Sequence, residues 1–116
     1  MPNNFWKDCE RRYARRYGTE RIGSKQGVGQ PDFRNKWLVA EVATHPIPQW
    51  VRDELQQAID DSERNQVPYE VLGRKGTTTR LPIFIVHQKG DAYEEDLVVM
   101  KESDFYDWFG GDDQTS

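Results

Sequence analysis

Apolar residues in this chain come only in short runs, Trp37-Leu38-Val39-Ala40-Glu41-Val42, Pro82-Ile83-Phe84-Ile85-Val86-His87 and Leu97-Val98-Val99-Met100, and in two stripes at helical spacing. None of these runs approaches the ~20 apolar residues that a bilayer-spanning helix needs. Short apolar runs mixed with amphipathic stripes predict small strands packed by helices, an α/β arrangement. The length of 116 residues fits a single domain, expected over 1–111, with the polar residues 112–116 as a frayed tail. Only 35% of residues are hydrophobic and 31% are charged, so the core is expected to be thin, with four Trp, five Tyr and five Phe supplying much of its area.

From Asn3 to Tyr17, Phe5, Trp6, Cys9, Tyr13 and Tyr17 recur at three- and four-residue steps and predict a helix that Gly18 ends. Residues 23–31, with three glycines and a proline, predict an irregular, mobile loop. The run 37–42 reads as a mostly buried strand with one acid inside it. Pro48 opens a second helix, carried by Trp50, Val51, Leu55, Ala58 and Ile59 to about Arg64. Residues 82–87 and 97–100 predict an antiparallel pair, and Ser103 is expected to cap a last helix over 104–109 that Gly110-Gly111 ends. An extra strand near Tyr69–Leu72 fits the order, and residues 74–80 suit a hairpin tip or a basic loop.

The net charge of −4 hides an asymmetry: residues 1–37 carry nine Lys/Arg against four acids, +5, and the rest carries seven against sixteen, −9. A basic first third on an acidic chain suits a polyanion, and equally a solvated helix face. The lone Cys9 forms no internal disulfide and excludes a CxxC zinc or redox site, in keeping with a reducing intracellular setting. The first residues, MPNNFWKDCERRYARR, carry charges where a signal peptide needs its apolar stretch, so a cytoplasmic protein is expected.

The chemistry-bearing residues lie between those elements. Pro31-Asp32 is followed nine positions after the acid by Glu41, placed inside the apolar run. A carboxylate in a buried strand needs compensation, and a cation is the natural candidate. If Asp32 ends one strand and Glu41 lies on its neighbour, the two carboxylates converge on oxygen-type coordination, which suits Mg²⁺ or Mn²⁺ with several waters retained. Period-two geometry then puts position 43 on the same face as Glu41. More ordinary roles remain open: Glu10 as an ion-pair partner of arginines on its own helix, Asp32 as a turn residue, His45 and Gln57 as surface residues, and His87 as a structural residue ending its strand.

Pro31-Asp32 and Glu41-x-43 resemble the PD-(D/E)xK nuclease motif. Glu10 in the first helix, the Gly-rich loop before Pro31-Asp32, Pro48-Gln49-Trp50, Gln57-Ala58, the strand ending in His87, Asp96-Leu97-Val98-Val99-Met100 and Asp104-Phe105 are together similar to small phage and archaeal Holliday junction resolvases. The resemblance implies a restriction-endonuclease-like mixed sheet flanked by helices, a homodimer, four-way DNA junctions as substrate and, if phage-encoded, the host cytoplasm. It also implies divalent metal at Glu10, Asp32 and Glu41. The departure is Ala43, which stands where the motif has lysine and offers neither charge nor proton.

Three accounts of Ala43 compete: a lysine replaced to trap a bound state, which needs one change; a binding-only relative; or transfer of the role to another cation such as Lys36. Arg11, Arg12, Arg15, Arg16, Arg21, Lys25 and Arg34 are the candidate phosphate contacts. A non-catalytic DNA-binding protein on a nuclease fold and a duplex-specific restriction or repair nuclease are the alternative functions.

Overall fold

The computed structural model describes residues 5–23, 29–71 and 74–110. The elements in chain order are helix α1 (Phe5–Arg16), strands β1 (Phe33–Arg34) and β2 (Val39–Ala40), helix α2 (Gln49–Arg64), strands β3 (Val67–Val71), β4 (Arg74–Thr78) and β5 (Phe84–Val86), a 3-10 turn (Tyr93–Glu95), strand β6 (Leu97–Val99) and helix α3 (Glu102–Phe109). The fold is α/β, with β1–β2, β3–β4 and β5–β6 each forming a two-stranded antiparallel ladder. The chain divides into two compact units at Pro46/Ile47, the second running to Trp108.

In the first unit α1 ends as the glycine predicts. Gly18 takes φ 75°, its N–H donates to the Arg15 carbonyl and the Thr19 N–H donates to the Ala14 carbonyl, the paired bonds of a Schellman cap. The inward face of α1 differs from the apolar stripe: Glu10, Ala14 and Tyr17, spaced i, i+4, i+7, are buried, while Phe5 is 60% exposed. Phe33 of β1 is buried against Tyr17, ring centroids 5.8 Å apart, and the Asn35 amide donates to the Tyr17 carbonyl.

The strand expected over 37–42 is corrected to a two-residue β2, and it is not buried, since Val39 is 72% exposed. Asn35 causes the shortening at one end. Its carbonyl oxygen Oδ1 accepts from the N–H groups of Trp37 and Leu38, which draws 35–38 into a turn and leaves β1, absent from the sequence reading, to pair with β2. At the other end the Val42 N–H is taken by the Asp32 carboxylate instead of a backbone carbonyl.

In the second unit α2 and the β5–β6 pair match their expectations. The Pro48 carbonyl accepts from Val51 and Arg52, Trp50 meets Phe84 edge-on at 6.3 Å, and Phe84 pairs with Val99 in the register that puts Ile85 opposite Val98. Ser62 is buried on α2 because its hydroxyl donates to the Arg80 carbonyl. Residues 74–78, left between tip and loop by sequence, form β4 and pair with the strand that the reading near Tyr69 anticipates. Ser103 is not the cap of α3. The helix starts at Glu102, two residues earlier than expected, with the Phe105 N–H donating to the Lys101 carbonyl. Residues 24–28, and the tail expected over 112–116, lie outside the described residues.

Candidate functional site

The register of the first ladder decides which acids meet. Phe33 pairs with Ala40, so the next positions outward are Asp32 and Glu41. Asp32 is fixed on both backbone sides, its N–H donating to Ala40 and its carbonyl accepting from Ile22, and its Oδ2 accepts the Val42 N–H at 2.6 Å. The Glu41 carboxyl stands beside it and titrates above the ordinary glutamate range. The negative charge of Asp32 is the main cause, followed by desolvation, a hydrogen bond with the Asp32 carboxyl and the charge of Glu10. Two like charges brought this close favour a proton or a cation beside Glu41.

Glu41 itself is exposed, which removes the premise of a buried mid-strand acid. The buried acid is Glu10. It is 5% exposed and accepts from Arg21 Nε at 2.7 Å, while the Arg21 guanidinium lies 5.6 Å from the Trp6 ring. Glu10 therefore has its ion-pair partner outside its own helix. Ala43 is exposed and lies beyond the end of β2, so ladder geometry does not fix its direction.

These positions define what the site can hold. Asp32 and Glu41 form a like-charged pair suited to a hydrated Mg²⁺ or Mn²⁺ bound through two carboxylates. Glu10 lies within electrostatic range of Glu41 but is neutralised by Arg21. Accordingly, among the described residues no group of three or more His, Cys, Asp or Glu side chains is arranged to hold a metal ion.

The candidate phosphate contacts separate. Arg11, Arg12 and Arg15 are exposed and follow Asp8 at i+3, i+4 and i+7 on the side of α1 away from Glu10, with Arg11 bonded to Asp8 at 3.0 Å. Arg16 is half-buried, and Arg34 is exposed on β1 and donates to Gln30. Arg21 is engaged with Glu10, its side chain 18% exposed. Lys25 lies outside the described residues. Lys36, the cation considered as a substitute for a motif lysine, is exposed in the 35–38 turn.

Sequence reading missed the Arg21–Glu10 pair, whose partners are eleven residues apart with no periodic signal joining them. It also missed the contacts of His87, whose Nδ1 lies 2.6 Å from Asp96 Oδ1 and whose ring stacks on Tyr93 at 4.8 Å. The register Val86–Leu97 makes His87 and Asp96 the next facing pair, a structural role for this histidine. His45 and Gln57 are exposed. No protein-family model matches the chain, and no curated protein or solved structure matches it significantly. No helix of the described residues is long and apolar enough to cross a membrane.

Proposed function

We propose that this chain is a DNA endonuclease of the PD-(D/E)xK type, similar to the Holliday junction resolvases, that acts on four-way junctions as a homodimer and is catalytically impaired by Ala43. The observation that carries the reading is the meeting of Asp32 and Glu41 across the first ladder, with the raised Glu41 carboxyl marking a place that favours positive charge. Further support comes from the exposed Arg11, Arg12 and Arg15 of α1 and from Arg34 and Lys36 of the hairpin, cations available to a phosphate backbone. The finer fold reading, a restriction-endonuclease-like mixed sheet, and an intracellular location belong to the same proposal.

Asp32 and Glu41 would hold Mg²⁺ or Mn²⁺, which supplies Lewis-acid polarisation of a phosphodiester oxygen and a more acidic bound water. The chain's own part is narrower. The Val42 N–H orients the Asp32 carboxylate, and the Arg21 guanidinium pairs with the buried Glu10 side chain. Ala43 contributes no cation toward the charge that develops on phosphate, which removes an electrostatic contribution of the kind worth about 10²–10³ in rate.

The test is direct. Binding of a four-way junction is compared with linear duplex of equal length at physiological salt, and Ala43→Lys is assayed for Mg²⁺-dependent cutting of the junction. Junction preference together with a gain of cutting supports the reading. Equal affinity for both substrates contradicts the junction assignment and favours a duplex nuclease. Junction binding with no cutting by a folded Ala43→Lys protein favours the second reading, a DNA-binding protein on a nuclease fold, which Ala43 and the commitment of Glu10 to Arg21 both suit.

A further inference from the structure

The basic stretch 74–80, which the carboxylate site does not use, is built into a two-stranded ribbon. β3 and β4 pair antiparallel from Val67 opposite Thr78 to Val71 opposite Arg74. The base of the ribbon is fixed to α2. The Asn65 N–H donates to the Ser62 carbonyl where the helix ends, and the buried Ser62 hydroxyl donates to the Arg80 carbonyl where the chain has left β4. Above that base, among the described residues, β3 and β4 pack on one another and make no comparable contact with a helix or another ladder. The exposed Pro68 suits a strand with no further neighbour on its N–H side.

The ribbon also differs in sign from the unit that carries it. Residues 65–80 hold three Lys/Arg against one acid, whereas the rest of the second unit holds four against twelve. Polyanions respond to local potential, so a phosphate backbone is repelled by the body of this unit and attracted where the sign reverses. Strand alternation puts positions 74, 76 and 78 on one face of β4 and position 75 on the other, so a basic residue falls on each face. Thr78, Thr79 and Arg80 are exposed at the base, and hydroxyls and guanidinium groups are ordinary phosphate contacts. A two-stranded ribbon is narrow enough for the major groove of a DNA duplex. We infer that the β3–β4 ribbon lies in the major groove of a DNA arm, with the basic residues at positions 74, 75 and 80 neutralising the phosphates that border it. This deepens the proposed function and rests on its nucleic-acid reading, but it is independent of metal and of Ala43.

The experiment measures the salt dependence of binding to a four-way junction and to linear duplex. Arg74→Gln/Lys75→Gln/Arg80→Gln is expected to flatten the slope by about 2.7 log units per tenfold salt on both DNAs. Arg80→Gln alone, which lies beyond the ladder and keeps the carbonyl that Ser62 bonds, should flatten it by about 0.9 and reads the charge even where the triple variant melts early. Arg74→Lys/Arg80→Lys keeps the charges and should keep the slope. Arg52→Gln/Lys89→Gln removes two exposed cations of the same unit outside the ribbon and should leave the slope unchanged. Guanine N7 faces the major groove, so the wild-type chain should protect it from dimethyl sulfate in the arms and the triple variant should not. An unchanged slope in folded Arg80→Gln, an equal flattening per charge by Arg52→Gln/Lys89→Gln, or N7 reactivity that the wild-type chain leaves unaltered overturns the inference while leaving the DNA reading standing. Failure of the wild-type chain to bind either DNA overturns both.

Discussion

Up to Pro46 the chain buries an acid and provides it with an arginine, whereas among the described residues from Ile47 to Trp108 the Asp61–Arg64 pair lies in solvent. The buried apolar residues Ala14, Tyr17 and Phe33 and the buried Glu10 all belong to the first unit. In the second, Asp61–Arg64 is an exposed i,i+3 pair, and Ile85, Leu97 and Val98 are 62%, 64% and 55% exposed. Similar residue types thus carry different physical weight. A pair withdrawn from water holds geometry because losing either partner strands a charge, while an exposed pair exchanges its partner for water at little cost.

The largest loss of stability is expected from Arg21→Met. Leaving Glu10 buried without its guanidinium should destabilise the chain by about 3 kcal/mol, read by chemical denaturation, and the double replacement Glu10→Leu/Arg21→Met should recover much of the loss. Arg64→Ala in the second unit should change stability by less than about 0.5 kcal/mol. Equal effects of the two single substitutions would show that burial does not distinguish the pairs. Ser62→Ala comes next, at about 1 kcal/mol, because the Arg80 carbonyl loses its donor; no change in denaturation midpoint would mean that water replaces the hydroxyl.

Two smaller effects belong to the first unit. The Glu41 carboxyl has its proton affinity raised in the folded chain, mainly by Asp32, so it contributes stability that is full below the ordinary glutamate range and lost as pH rises through the raised folded value. Thermal melts without metal should therefore show Glu41→Gln gaining on the wild type as pH climbs through that window, and parallel curves would contradict the repulsion. On the basic face, removing Arg12 and Arg15 together should flatten the salt dependence of DNA binding by about 1.8 log units per tenfold salt. An unchanged slope would put DNA elsewhere.

What could be read from sequence followed from local rules. Pro48 ahead of an amphipathic stripe, Gly18 after another, and two β-rich runs flanking Gly90 each specify their element within a few residues, and the structure places α2, the end of α1 and the β5–β6 pair accordingly. The approach of Asp32 to Glu41 was legible as a cross-strand relation, although it arises at the open end of a short exposed ladder and not inside a buried strand. The rest depends on contacts that spacing does not encode. Asn35 turns 35–38 through side-chain hydrogen bonds, Arg21 reaches back to Glu10, and Glu10 is buried on α1 where Phe5 of the apolar stripe is exposed. In a core with so little apolar area, a single polar contact is enough to redirect an element.

The divalent-cation site proposed at Asp32 and Glu41 is tested by Mn²⁺ binding, followed by calorimetry with electron paramagnetic resonance. The wild-type chain should bind Mn²⁺ and raise its melting temperature, with affinity falling as the pH is lowered through the raised Glu41 value, because proton and metal compete for the same carboxyl. Asp32→Asn and Glu41→Gln should each remove that binding while remaining folded. Undiminished Mn²⁺ binding in folded Glu41→Gln, or none in the wild type, would contradict the assignment.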